Sequence, residues 1–168
     1  MSYNWNWGVF LQPSASGDDT YLGWLFTGLK WTISLSLSAW VIALIVGSII
    51  GVLRTVPNRW LSGFATGYVE LFRNIPLLVQ LFIWYFVLPE LLPPDLGNAF
   101  KQSNPLWQQF FSAMLCLGLF TSARVAEQVR SGINALPKGQ RAAGLAMGFT
   151  LPQVYRHVLM PMAYRIIM

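Results

Sequence analysis

One cysteine and one histidine occur among 168 residues, and charged side chains make up only 10% of them. The lone Cys116 sits within an apolar run, so it offers neither a disulfide framework nor a Cys/His metal spacing. His157 has no second imidazole with which to build a metal site or a proton relay, and reads as a surface residue beside Tyr155 and Arg156. There is no Gly-rich loop ending in Lys-Ser or Lys-Thr, no His-Glu-x-x-His, and no Ser or Cys with a plausible base, so no catalytic residues and no resident metal ligands are expected. Acidic residues are scarce, six against eleven basic ones, for a net charge of +5. Clustered Lys and Arg would suit nucleic-acid phosphates, but these cations are dispersed beside hydrophobic segments, which excludes a nucleic-acid partner in favour of the topology rule for membrane loops. Residues 1 to 20 lack the basic start and short apolar core of a cleavable signal peptide, carrying instead Trp5, Trp7, Phe10 and the acidic Asp18 and Asp19. The first helix is therefore expected to act as its own insertion signal.

What the chain has is hydrocarbon. Hydrophobic residues reach 55%, and charged ones fall far below the roughly 25% of a soluble domain. The 23 residues from Trp31 to Leu53 carry no charge, and about 20 apolar residues suffice to cross a bilayer core of about 30 Å. The pattern predicts an all-α integral membrane protein surrounded by lipid. Residues 1–21 form an extracytoplasmic or interfacial arm broken by Pro13, Ser14, Ser16 and Gly17. Residues 22–168 form one transmembrane domain, with spans over about 22–53, 60–88 and 106–129 and the start of a fourth over 162–168. The Ser34, Ser36, Ser38, Ala43, Gly47, Ser48 and Gly51 positions of the first span suit either close helix packing or a pore lining. A basic turn carrying Arg54, Pro57 and Arg59 joins the first two spans, because Pro57 cannot continue a helix. An irregular connection rich in proline, over 89–105, joins the next two. Lys and Arg concentrate in the 54–59 turn and between Arg124 and Arg165, which puts those sides in the cytosol and the N-terminus outside.

The residues from Lys138 to Pro161 break this apolar pattern with a polar, cation-bearing loop over about 137–161. Small Ala142, Ala143, Gly144 and Ala146 permit close approach to another surface, Gly148 permits a reversal between two short helices, Thr150 is placed to cap the second, and Leu145, Met147 and Leu151 supply apolar anchors. Such a knob either plugs into a soluble partner or lies as an amphipathic hairpin on the membrane.

Its spacing resembles the cytoplasmic signature loop of bacterial ABC import permeases: Glu-Ala-Ala, three residues, Gly, nine residues, Ile, one residue, Leu-Pro. Aligned on Gly148, Ala142, Ala143 and Gly144 take the opening positions and Val158, Met160 and Pro161 the closing ones. Ala142 stands where the family usually has Glu, and Gly144 where it usually has Ala, so the Glu contact to an ATPase does not carry over. Tyr68-Val-Glu-Leu-Phe-Arg-Asn-Ile-Pro-Leu-Leu-Val-Gln80, Ala126-Glu-Gln-Val-Arg-Ser-Gly-Ile133 and Leu136-Pro-Lys-Gly-Gln140 resemble polar amino-acid permeases. Asn4-Trp5-Asn6-Trp7-Gly8, Leu53-Arg-Thr-Val-Pro-Asn58 and Pro89-Glu-Leu-Leu-Pro93 resemble the glutamate/aspartate importer subfamily. The resemblance implies an integral membrane helical bundle of the ABC type I importer permease class, in the bacterial inner membrane. Members usually have five spans, so three complete ones and the start of a fourth imply that C-terminal spans are missing here. It also implies separate ABC ATPase subunits holding ATP and Mg, a second permease subunit, the same or related, an extracytoplasmic amino-acid-binding protein, and no cofactor on this chain. An ion-coupled secondary carrier would show inverted repeats and broken helices, and a non-transporting membrane scaffold is the other alternative.

Two pairs of opposite charge, Glu70 with Arg73 and Glu127 with Arg130, are spaced three apart on a helix face. Each is either a local ion pair whose Arg snorkels to water or part of a translocation gate, with Pro76 loosening the helix between gate and core. Arg73 and the Gln80 amide are the candidates for a path taken by an anionic amino acid.

Overall fold

A run of 33 residues without proline builds the first long helix, α1 (Tyr21–Leu53). The computed structural model describes residues 6–15, 17 and 19–167; Asn4, Trp5, Ser16 and Asp18, named above, lie outside them, as does Met168 at the end of the segment expected over 162–168. Contacts divide the chain into two units, one up to Leu37 and one from Ser38 onward. In the first, a 3-10 turn at Trp7–Leu11 stacks Trp7 on Phe10. An isolated antiparallel bridge then ties Pro13 to Thr20, and the Thr20 hydroxyl accepts from the Gly23 N–H at 3.1 Å at the start of α1.

In the second unit, α1 ends at the turn whose Asn58 caps α2 (Arg59–Asn74), its side-chain oxygen accepting from the Trp60 and Leu61 N–H groups. The expected continuous helix over 60–88 is instead a bent pair. The axis of α2 meets that of the following segment, Leu77–Leu91, at 102°. Pro76 is the cause: it lacks a donor and forces the preceding residue into extended geometry, and Ile75 has φ −90° and ψ 125°. Beyond the bend, α3 (Leu77–Phe82) runs through a π-helical turn at Ile83–Val87 into α4 (Leu88–Leu91).

The 89–105 connection is more ordered than its prolines predicted. It contains α5 (Pro94–Gln102), with Pro94 at its start, Asp95 in the first turn and Lys101 in the last, the arrangement favoured by a helix dipole. Lys101 Nζ also lies 2.6 Å from Glu90. Capped by Asn104, α6 (Pro105–Asn134) is the second long helix. Among the described residues α1 and α6 are long and apolar enough to cross a membrane, and the bent pair makes a third crossing if it is counted as one span. The protein is an all-α membrane bundle.

Helices α1 and α6 touch backbone to side chain. A Cβ on Gly47 would lie 2.6 Å from Val125 Cβ, and one on Gly51 2.7 Å from Val129 Cβ, so no larger residue fits at either point. Against this seam α2 lays Ala65 and Val69, which pack with Ile50, Ala123 and Ala126 into one core cluster. A second cluster joins Val129 and Ile133 of α6 to Leu136, Val154, Tyr155, Leu159 and Ala163, and it carries the loop expected over 137–161.

Candidate functional site

The loop expected over 137–161 begins where Pro137 starts α7 (Lys138–Ala146). Its end is a Schellman turn: the Phe149 N–H donates to Gly144 O at 3.2 Å and the Gly148 N–H to Leu145 O at 3.0 Å, with Gly148 at φ +86°. That conformation costs an L side chain about 1–2 kcal/mol, so glycine belongs there. After the turn, Gln153 Oε1 accepts from both the N–H and the hydroxyl of Thr150, which opens α8 (Leu151–Val154). The two short helices predicted from sequence meet there, but the second does not stop at Pro161. It passes through a π-helical turn at Tyr155–Leu159 into α9 (Met160–Ile167), where a fourth span was expected to begin at 162.

The loop residues sort into two sets. Ala142, Ala143, Leu145, Met147 and Gly148 are exposed, Met147 by 66%. They form a small-residue knob with apolar edges. Gly144 turns inward, where an added Cβ would stand 3.0 Å from Val154 Cγ2, so α7 and α8 close tightly on each other. Val158 and Met160 pack on the second core cluster, while Pro161 is exposed. The exposed His157 sets its ring beside Phe149.

One buried side chain fastens this knob to the membrane helices. The Tyr155 hydroxyl donates to Thr55 O at 2.8 Å, while the single proton of the Thr55 hydroxyl is shared between Val52 O at 2.8 Å and the Tyr155 oxygen at 3.1 Å. Thr55 lies in the turn between α1 and α2, next to Arg54. The Arg54 side chain is 8% exposed and meets Glu127 Oε1 at 2.5 Å. Glu127 is shared further: Arg73 reaches the same oxygen at 3.1 Å and Arg130 the other at 3.5 Å. Of the predicted local pairs, then, Glu127 with Arg130 forms and Glu70 with Arg73 does not; among the described residues Glu70 is exposed and makes no ion pair. Arg73 crosses to α6 instead.

Gln80 is buried, 3% exposed, and braces the bend. Its Nε2 donates to Phe72 O and Ile75 O, both at 2.9 Å, two carbonyls that the break at exposed Pro76 would leave without helical partners. Its Oε1 is buried without a hydrogen-bond partner. Gln80 thus holds backbone, apart from the Glu127 cluster.

Arg73, Phe120, Arg124, Glu127 and Ser131 line a cavity of about 610 Å³. A neighbouring one of about 480 Å³ shares Glu127 and Ser131 and extends past Arg130 to Asn134 and Ala135 at the end of α6. Among the described residues no group of three or more His, Cys, Asp or Glu side chains is placed to hold a metal. Sequence spacing missed Arg54, Tyr155 and Arg124. Arg54 was legible only as a topology marker, because its acid lies 73 residues away; nothing local marks Tyr155.

Residues 43–168 match the family model described as binding-protein-dependent transport system inner membrane component. The chain is 62% identical over 168 residues to the glutamate/aspartate import permease protein GltJ of Escherichia coli strain K12, covering 99% of this chain and 68% of that protein. It is 36% identical to the arginine transport system permease protein ArgU of Corynebacterium glutamicum, covering 94% of this chain and 52% of the relative. It is 33% identical to the glutamate/aspartate import permease protein GltK of Escherichia coli O6:H1, covering 86% of this chain and 62% of the relative. A solved structure, described as the crystal structure of an amino acid ABC transporter with histidines, superposes with a TM-score of 0.66 at 30% identity, over 88% of this chain and 63% of that one.

Proposed function

This chain belongs to the family of binding-protein-dependent transport system inner membrane components, as a multi-pass permease of an amino-acid ABC importer, and from that membership we propose that its cargo is glutamate and aspartate. The cargo reading rests on the 62% identity to a permease named for those two amino acids, and the cationic cavity beside Glu127 agrees with an anionic cargo. ATP and Mg are held by separate ATPase subunits, a second permease such as the relative of GltK type completes the path, and an extracytoplasmic protein delivers the amino acid.

The observation that carries the mechanism is the knob. Exposed Ala142, Ala143 and Gly148 with Leu145 and Met147 at their edges offer a shallow surface that a groove of an ATPase receives, and Val158 and Met160 root the same loop in the core. Closure of the ATPases moves the knob as a rigid body, and the Tyr155 to Thr55 hydrogen bonds carry that movement to the α1–α2 turn. Arg73, Glu127 and Arg130, with Arg54, form the inner gate; Pro76 and Gln80 set the bend that holds Arg73 against α6, and Glu70 flanks the path on the outer face of α2. The knob faces the cytosol and the N-terminus lies outside, in keeping with the distribution of Lys and Arg.

The test has two arms in the complete transporter. Ala143→Trp abolishes co-purification of the ATPase while the permease still inserts. Ala146→Cys reacts with an impermeant maleimide only once the cytosolic side is opened, and buried Cys116 adds little background. Retention of the ATPase by the Ala143→Trp variant, or labelling of intact cells, would sink the reading.

A further inference from the structure

We propose that the cavity between Arg73 and Arg124 is a transit site for the carboxylates of an acidic amino acid; this rests on the acidic cargo inferred above. The argument begins with charge. Glu127 is shared by Arg54, Arg73 and Arg130, and Arg124 makes no ion pair among the described residues. Four guanidinium groups around one carboxylate leave three positive charges without a counter-ion, and charge within a membrane span is costly unless it is paired or faces an aqueous path. A dicarboxylate supplies what is missing, because charge-assisted bonds from a planar guanidinium fork to a carboxylate are among the strong ones.

Geometry supports the same occupant. Phe120, Arg124, Glu127 and Ser131 recur at steps of three and four along α6 and so line one face. The Arg124 guanidinium lies over the Phe120 ring, 4.8 Å from its centroid, a cation–π contact that leaves its N–H donors available to an anion. Arg73 enters the same cavity from α2. Two cations then meet the two carboxylates of the cargo, and Glu127 and Ser131 are at hand for its ammonium group. The smaller cavity, sharing Glu127 and Ser131, continues toward the end of α6 and gives the site an exit.

The experiment uses the complete transporter in liposomes with its loaded binding protein, measuring uptake of glutamate and of glutamine together with ATP hydrolysis. Arg124→Gln lowers glutamate uptake roughly tenfold or more, the expected loss of one hydrogen-bonded charge, while stimulated ATP hydrolysis and ATPase co-purification are unchanged; Arg124→Lys restores much of the uptake. Undiminished glutamate uptake by Arg124→Gln overturns the site. A defect seen only in phosphatidylglycerol liposomes, and absent in phosphatidylcholine, overturns it in favour of a lipid phosphate. Wild-type transporter that imports no acidic amino acid overturns the cargo reading itself, a result separable from the other two.

Discussion

Removing the Glu127 carboxylate leaves Arg54, Arg73 and Arg130 facing one another with no counter-charge. Breaking an ion pair from one side costs most through the stranded partner, about 3–5 kcal/mol when both groups are fully buried and less here, where Glu127 is 30% exposed; Arg54 is the partner most thoroughly shut away from water. Glu127→Gln is therefore expected to lower the thermal midpoint of the solubilised transporter well below that of Arg73→Gln, whose side chain is 55% exposed. Equal midpoints for the two variants would show that the cluster is not held by its acid. Spacing along the chain exposed half of this arrangement. It put Glu127 beside Arg130 correctly, yet it offered Glu70 to Arg73 on the same grounds. The true partner of Arg73 lies 54 residues on, and that pairing depends on how Ala65 and Val69 seat α2 against Ala123 and Ala126. No single-helix rule contains that information.

The elements show a similar division. Long apolar runs announced α1 and α6, whose limits depend on local features such as the Asn104 cap, and Gly148 with Thr150 announced the reversal between α7 and α8. The 102° bend after α2 was not foreseen, although Pro76 was noted, because proline signals a break without stating its angle. The angle is stabilised by Gln80, a residue read from sequence only as a candidate for the path. Gln80→Leu leaves the Phe72 and Ile75 carbonyls unpaired, and each orphaned buried group costs about 1–3 kcal/mol. Faster hydrogen exchange of the amides around the bend, with those of α6 unaffected, is the expected signature; unchanged exchange there would assign the bend to Pro76 alone.

At the scale of the whole molecule, the proposed function requires that the knob and the gate move together. Tyr155→Phe keeps the buried ring but deletes the hydroxyl that donates to Thr55 O. The expected outcome is ATP hydrolysis close to wild type with several-fold less amino acid imported per ATP, since a net hydrogen bond of about 1 kcal/mol corresponds to roughly a fivefold change in an equilibrium. Thr55→Val, which spares the main-chain acceptor, should be milder. An unaltered ratio in the Phe variant would mean that the stroke reaches the gate by another route. The family was legible at this scale because its loop pattern is local, running over two dozen consecutive residues, whereas the latch joining that loop to the α1–α2 turn spans 100 residues.

The contact of Gly47 with Val125 and of Gly51 with Val129 has a mechanical corollary. Each valine sits in a notch on the opposing helix, and successive notches are four residues apart, about 6 Å along the axis. Gradual sliding of one helix past the other would drive valine methyls into backbone, and only a jump of a whole tooth would restore the mesh. Over the meshed stretch around Gly47 and Gly51 the two helices must accordingly tilt together, so whatever pushes on that part of one swings the facing part of the other through the same arc.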